Sequence, residues 1–568
     1  MTTSSSTVAS LDAQYEQSDG LERDEQGNPM AVEGQEDDEA QRSKYTSIIS
    51  WVVSGALHAT IILLTLTVVM LSREEEQEAP PVRITSIPPP PEKKEEKPKM
   101  EREILDPKIE LDIDKKADVV APITALDVPV DVVSKEEDNT DKPPKGREEA
   151  VADSEMGGSG AFMAIGAGGG SAGMFGSRTG GGRRRAVGAG GGSKGSESAV
   201  DAALRWFKKH QSPNGMWELD KYVQNCTEDP KCEPGTVEHT TKENIDTALT
   251  GYAVLAYLGA GFDHKSLNKY KTTVKKGLDW ILSVQKPDGL IGERNYEHPV
   301  AAMALAEAYA MTNDSELRLP AQKAVDVIIA RQNQQIGGDT EYAGLGWDYT
   351  KPTQRNDSSV TGWNIMALKS AYAGGLNIGN SMHGAKRWLE GAWKSANDGS
   401  DGRPDWKKLD PYIGISDFPY VWDGKDIQHT FKSTQLTRGL GRDCAPMGLV
   451  CAVFLGHKSG DVMLETLGNH VMKYQTPTAI PTNSYYLYYN SMGIFQLGGE
   501  RWKTWNATVR DLLVNSQRKG NGCFDGSWDY TGKDFPGAGA GRVLATAYYC
   551  LSLEVYYRYA QVNGPQKR

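Results

Sequence analysis

Apolar and polar positions follow three different rhythms along this chain. Across 47–71 there are 25 consecutive residues without Asp, Glu, Lys or Arg. At the rise of an α-helix such a run covers about 30 Å of hydrocarbon, which predicts one transmembrane helix. Across 72–155 charged residues and prolines dominate and aromatics are few. Such a segment buries too little apolar surface to offset chain entropy, so a disordered, partly polyproline II spacer is expected. From 196 onward the apolar residues recur at helical spacing. Amphipathic segments alternate there with segments apolar on every side, at 246–258, 299–311, 360–373, 445–455, 485–497 and 542–557. A helix apolar all round is buried, and one with a polar face lies outside. Short connections make each pair antiparallel. Six of each predict an all-α fold, an (α/α)6 toroid over 196–560. A closed ring is expected rather than an open solenoid, which needs polar capping repeats at its ends. The last helix, VLATAYYCLSLEVYYRY, is apolar and aromatic.

The amphipathic helices share an ending: a Gln, then a glycine turn, often with Trp. Gln211, Gly215 and Trp217 form the first copy, Gln285 and Gly289 the second, and Gln517, Gly522, Gly526 and Trp528 a late one. A third copy runs on to Gly346-Trp347, and weaker versions end near Trp393 and Gln475. Such self-similarity marks a repeat architecture.

Composition separates a low-complexity half from a folded one. Seventeen of the 61 glycines fall in 157–195 and 12 of the 28 prolines in 80–144, whereas all six cysteines and 12 of the 13 tryptophans come later. This excludes a wholly disordered chain, a multi-span membrane protein and a disulfide-dense mini-scaffold. An acidic tail (1–46), a Gly-rich flexible linker (156–195) containing Arg183-Arg184-Arg185, and a short tail (561–568) complete the expected organisation. The net charge of −12 sits outside the repeats: 196–568 holds 41 basic and 40 acidic residues. Nothing there marks a nucleic-acid binder.

Ser54 and His58 share one face of the predicted span, and a lone imidazole at bilayer depth is a default functional residue. Basic residues flanking the span tie in number, so charge gives no orientation. In the spacer, 104–133 alternates apolar and acidic residues, as an extended linker or a strand added to a partner's sheet. In the repeats, polar residues gather where inner helices begin: Asp246, then Tyr296 and His298, then Asp357 and Thr361. Asp at a helix start is ordinarily a cap, but three such starts on one rim also form a binding site. Trp347, Trp363, Tyr420 and Trp422 are candidate walls for it, and Asp246, His298 and Asp357 are the acid–base candidates if the site is catalytic. Cys226 and Cys232 lie in a polar insertion, CTEDPKC. They read either as a disulfide or as free thiols, and two thiolates supply only half a zinc site. Cys444 and Cys451, seven apart on an apolar helix, read as buried small hydrophobes. No metal or other cofactor is expected.

Two resemblances add to this. Ser54-Gly-Ala-Leu-His58 followed by IPPPPEKKEEKPK is similar to the anchor and spacer of TonB-type energy transducers. That resemblance implies an inner-membrane, single-pass protein with its C-terminal domain in the periplasm. It also implies an ExbB/ExbD-like proton-channel partner, although no TonB-like C-terminal domain follows. The Gln-x-x-x-Gly-x-Trp units resemble the QW repeats of squalene–hopene cyclases and, more weakly, protein prenyltransferase β-subunits. GWDYT at Gly346, SSVTGWNIMALKSA at Ser358 and YYNSMGIFQLGGERW at Tyr488 resemble prenyltransferase/squalene-oxidase-repeat proteins of planctomycete type. The chemistry those families imply finds no support in 196–568: the DxDD acid, the DDxxD magnesium site, the Asp-x-Cys zinc site and the thioester motif are all absent. The expectation is therefore a membrane-anchored binding or scaffolding toroid with an unknown ligand or protein partner at its rim. A divergent isoprenoid enzyme and an energy-coupled transducer are the alternatives.

Overall fold

A computed structural model describes 176–559 apart from 179, 238–239, 335–344, 401, 429–443 and 531–536, together with 54–56, 58–60 and 63. Contacts divide the chain into two units, Met1–Pro122 and Ile123–Arg568.

The second unit begins with a helix α1 (Gly180–Gly190) and then alternates outer and inner helices. The outer ones are α2 (Lys194–His210), α4 (Lys271–Val284), α6 (Ser315–Ala330), α8 (Ser381–Ala396), α10 (Val462–Tyr474) and α12 (Gly499–Ser516). The inner ones are α3 (Lys242–Gly259), α5 (Glu297–Thr312), α7 (Ser358–Ala373), α9 (Ala445–Phe454), α11 (Ser484–Leu497) and α13 (Gly537–Leu553); a short α14 (Val555–Arg558) follows. Each inner helix packs against the next and α13 returns to α3, while each outer helix sits over two inner ones and α12 touches α2. Both rings therefore close, and the fold is the all-α (α/α)6 toroid. The inner helices are buried along nearly their whole length because their sequences offer no polar face. Local chemistry starts them: the side chains of Thr241, Asp357 and Asn483 accept backbone N–H groups of the first turns of α3, α7 and α11.

The repeated glutamine is what joins one unit to the next. Gln211 Nε2 donates to Gly215 O (2.8 Å) in its own turn and to Thr273 O (3.0 Å) at the start of α4. Gln285 does the same with Gly289 O and with Pro320 O in α6. Gln332 reaches Leu345 O and Ser381 O of α8. Gln517 reaches Gly526 O and, across the seam, Ala199 O of α2. Carbonyls in the N-terminal part of one outer helix thus receive a second donor from the end of the previous one. The tryptophans lock the same turns: Trp217, Trp347 and Trp528 each donate Nε1 to a carbonyl of their own outer helix at 2.8 Å. Their backbone N–H groups meet the hydroxyls of Thr250, Thr361 and Thr546 on inner helices. Glycine is required in the turn. At Gly289, with φ +98°, a Cβ would lie 2.4 Å from Lys323 O.

At the C-terminal end of the inner ring, Arg178 inserts between helices. Its buried guanidinium donates to Leu258 O (3.1 Å) and Glu307 (3.0 Å), and Arg558 takes the other oxygen of Glu307 at 2.8 Å. Arg183 pairs with Glu197, bonds Ala260 O and lies over the Tyr557 ring. This differs from the expected coil: 180–190 is helical despite five glycines in eleven residues. Glycine disfavours helix by up to about 1 kcal/mol per residue, so the arginine contacts rather than propensity hold this segment.

The membrane reading is corrected. Among the described residues no helix is long and apolar enough to cross a membrane. The single-pass anchor, the inner-membrane placement with a periplasmic domain, and the ExbB/ExbD-like partner lose their basis with it. Ser54 and His58 fall in a described turn where His58 Nδ1 donates to Ser54 O at 2.7 Å, a bond within one helix. The rest of 47–71, the spacer and its 104–133 segment lie outside the described residues.

Replacing Gln517 with Leu should expose the seam's dependence on this side chain. Two buried carbonyls lose their donor, at a cost of about 2–4 kcal/mol. Thermal unfolding should show a clearly lower Tm for Gln517→Leu and an unchanged one for Gln334→Leu, which alters an exposed glutamine.

Candidate functional site

The inner helices all begin at one end of the ring, and charged and aromatic side chains collect there. Asp357 caps α7: its Oδ1 accepts Ser359 N (2.9 Å), Val360 N (3.1 Å) and Ser359 Oγ (2.6 Å). Its Oδ2 accepts Arg355 Nη2 at 2.9 Å, and Arg355 Nη1 reaches Asp348 Oδ1 at 2.6 Å. Burial alone would lower the Arg355 pKa, but the two carboxylates outweigh it and hold the guanidinium charged. A small antiparallel sheet fixes this array. Strand β1 (Asn356–Asp357) pairs with β2 (Val421–Trp422), which pairs with β3 (Ile427–Gln428). The pairing brings Tyr420 beside Asp357, and the Tyr420 and Tyr349 hydroxyls meet at 2.9 Å. Burial first, and the Asp357 charge second, push both phenols above their ordinary pKa, so both stay protonated. The Arg294 guanidinium stands 4.6 Å from the Tyr349 ring and that of Arg355 5.6 Å from it.

Inside the ring the axis is occupied by aromatic side chains. Trp363 has Tyr252 at 5.1 Å, Tyr489 at 5.6 Å, Tyr488 at 6.2 Å, and Tyr485 and Tyr548 at 6.4 Å between ring centroids. All six rings are buried. Tyr548 donates to the Tyr252 hydroxyl at 2.8 Å, and Tyr485 to Ser359 O at 3.0 Å. Three polar atoms in this group are buried without a well-formed hydrogen bond among the described residues: Trp363 Nε1, Tyr489 OH and the hydroxyl of Tyr296, whose ring stacks on Tyr485. Their contacts are with one another and with Tyr485, Tyr296 meeting Tyr485 and Trp363, and Tyr489 meeting Tyr485, so their bonding capacity is only partly used.

The structure sorts the sequence-predicted residues. Tyr296, Asp357, Trp363 and Tyr420 come together at the mouth and its floor. Trp347 and Thr361 belong to the repeat joint described above, with Trp347 fully buried. Trp422 is buried against Gly391 of α8. Asp246 accepts Leu219 N at 2.6 Å and pairs with Lys242 at 3.1 Å, tying the first repeat turn to α3; burial raises its pKa. His298 is fully buried, accepts Ile291 N at Nδ1 (3.0 Å) and donates from Nε2 to Ala324 O (2.9 Å). Both ring nitrogens are therefore spent on a turn and on α6. Arg294, Asp348, Tyr349 and Arg355 were not singled out from the sequence, because they lie in connections whose spacing carries no periodic signal. The GWDYT phrase, which contains Asp348 and Tyr349, was the available hint.

No family model and no curated protein matches this sequence. Solved structures do resemble the fold. An α-1,6-mannanase of Salegentibacter sp. HEL1_6, in complex with α-1,6-mannotriose, is 12% identical and covers 64% of this chain and 99% of its own, with a TM-score of 0.41. A D-mannose isomerase is 12% identical over 64% and 97%, TM-score 0.42. The endo-β-1,4-glucanase CMCax of Acetobacter xylinum is 10% identical over 65% and 99%, TM-score 0.34. These are glycoside hydrolases and a sugar isomerase, not terpene cyclases or prenyltransferases. The terpenoid reading, with its isoprenoid-enzyme and energy-transducer alternatives, is corrected accordingly. A cyclase needs an open axial chamber, and here the axis holds six aromatic rings.

Burial pushes the His298 pKa down to about 4 from 6.5. A folded-state pKa below the unfolded one gives stability that is complete above pH 6.5 and is lost as pH falls toward about 4. Chemical denaturation across this window should show ΔG of wild type falling with pH, and His298→Gln losing one proton's share of that slope.

Proposed function

We infer that the N-terminal mouth of the toroid recognises a saccharide. The observation that carries this reading is the set of buried polar atoms without well-formed hydrogen bonds, Tyr296 OH, Tyr489 OH and Trp363 Nε1, together with the array of Tyr349, Tyr420, Asp348, Arg355 and Asp357. Sugar hydroxyls accept and donate in the same place, and the C–H face of a pyranose packs on aromatic rings, so one ligand class meets both features. The rim charges are balanced among themselves: Arg355 is shared by two carboxylates, and the Arg294 guanidinium over the Tyr349 ring supplies the second positive charge, which leaves no excess to demand an ionic ligand. A carboxylate fixed by backbone N–H groups and a guanidinium is suited to orient hydroxyls. The solved structures above are named as a mannanase and a glucanase, but the reading rests on this chain's own residues.

The test is titration calorimetry of the full-length protein against a panel of neutral oligosaccharides chosen from a glycan array. Wild type should bind at least one. Tyr296→Phe removes a single hydroxyl that makes no well-formed hydrogen bond to the protein, so the fold should keep its Tm while affinity drops roughly 5–10-fold, the worth of one hydrogen bond. Absence of binding across the array, or a Tyr296→Phe affinity equal to wild type, overturns the reading.

A further inference from the structure

Where the ring closes, three cysteines and a histidine from three stretches of chain converge. His210 ends α2, Cys226 and Cys232 bracket the CTEDPKC insertion, and Cys523 lies in the turn after α12. All four are buried. The Nε2 of His210 lies 3.4 Å from Cys226 Sγ and 4.0 Å from Cys232 Sγ. The ligand atoms of His210, Cys226 and Cys523 are all within 4.8 Å of one another. All six cysteines of the chain are free thiols.

We propose that His210, Cys226, Cys232 and Cys523 form a Cys3His site for a structural zinc ion that staples the first repeat to the last. Zinc takes sulfur at about 2.3 Å and imidazole nitrogen at about 2.0–2.1 Å in a tetrahedron. Neighbouring ligand atoms around such an ion stand about 3.5–3.8 Å apart; His210 and Cys226 match at 3.4 Å, whereas Cys232 lies outside the mutually close set and its thiol, which donates to Cys523 O at 3.1 Å, has to turn inward to complete the tetrahedron. The site's surroundings fit as well. His210 Nδ1 lies 2.8 Å from Trp206 O, an oxygen that only accepts, so the proton sits on Nδ1 and the Nε2 lone pair faces the sulfurs. A backbone carbonyl orienting a ligating imidazole is the usual outer-shell arrangement. Two backbone N–H groups already point at sulfur: Glu228 N to Cys523 Sγ (3.3 Å) and Cys232 N to Cys226 Sγ (3.5 Å). Three thiolates and one dication leave a net charge of −1, and the backbone N–H groups just named are the donors that face it; the nearby Arg542 guanidinium is shared by Glu233 and Asp529. Four protein ligands with no open position make the site structural. A soft set of three sulfurs and one nitrogen selects zinc over magnesium or calcium. Cys523 belongs to the closing repeat: its N–H bonds Pro230 O at 3.1 Å, inside the insertion. Binding would release thiol protons to solvent and leave zinc's oxidation state unchanged, so no further reactant is needed.

Metal analysis of the full-length protein, purified without chelator from zinc-supplemented cells, tests this. About one zinc per chain is expected, and cobalt substitution should give the charge-transfer and ligand-field bands of a tetrahedral thiolate site. Cys226→Ser and Cys523→Ser should each reduce bound zinc roughly tenfold or more, while Cys451→Ser, a buried thiol elsewhere, should keep it. If the site variants fail to fold, the cobalt spectrum of wild type decides alone. Zinc below a tenth of an equivalent, a cobalt spectrum lacking thiolate bands, or a Cys226–Cys232 disulfide in the unreduced protein would each overturn the proposal.

Discussion

The toroid depends on one small interaction made repeatedly: a glutamine amide that donates at once to its own turn and to the N-terminal part of the next outer helix. Gln211, Gln285, Gln332 and Gln517 each bridge two carbonyls in this way, one in the turn and one in the neighbouring helix. Because the second acceptor always belongs to the neighbour, the bond that finishes one repeat also sets the position of the next. The last of these reaches α2, which turns a row into a ring. Apolar burial supplies most of the energy, but it is non-directional. The glutamine bridges supply the direction.

Once the ring is closed, its two ends differ by the polarity of the helices. At the C-terminal end, carbonyls and carboxylates face inward, and arginines meet them: Arg178 from the glycine-rich segment and Arg558 from α14 share Glu307. Buried ion pairs of this kind are weak as net stabilisers, but removing one partner is expensive. The network therefore fixes where these segments dock. At the N-terminal end the caps and the small sheet leave carboxylates, guanidiniums and phenols in one place. Between the ends, rings from α3, α7, α11 and α13 fill the axis. With six aromatic rings on the axis, attention moves to the mouth, where polar atoms lack well-formed hydrogen bonds.

The same residue type plays opposite parts according to where it stands in a repeat. Asp246 and Asp357 both sit four residues before a threonine that accepts a tryptophan N–H. Asp246 is spent on a turn and a lysine; Asp357 faces Arg355 and Tyr420. Arg542 holds the equivalent position in the closing repeat and braces Glu233 and Asp529. His298, attractive in sequence as an acid or base, is a joint between helices.

The sequence by itself determined the architecture. Period-3.6 patterning, the contrast between amphipathic and wholly apolar helices, and the Gln–Gly–Trp endings are local signals, and local signals survive in one dimension. The mouth was partly legible for the same reason: Asp357 is a cap, and Trp363 and Tyr296 sit at fixed places on inner helices. Arg355, Tyr349 and the Asp348 partner were not, since they come from irregular connections aligned only by the small sheet. The sulfur–imidazole cluster was invisible beyond its first half. CTEDPKC displays two cysteines, but His210 and Cys523 are more than three hundred residues apart and meet because the ring closes between α2 and α12. Contacts set by closure of a ring depend on every repeat between, so only the tertiary structure decided them.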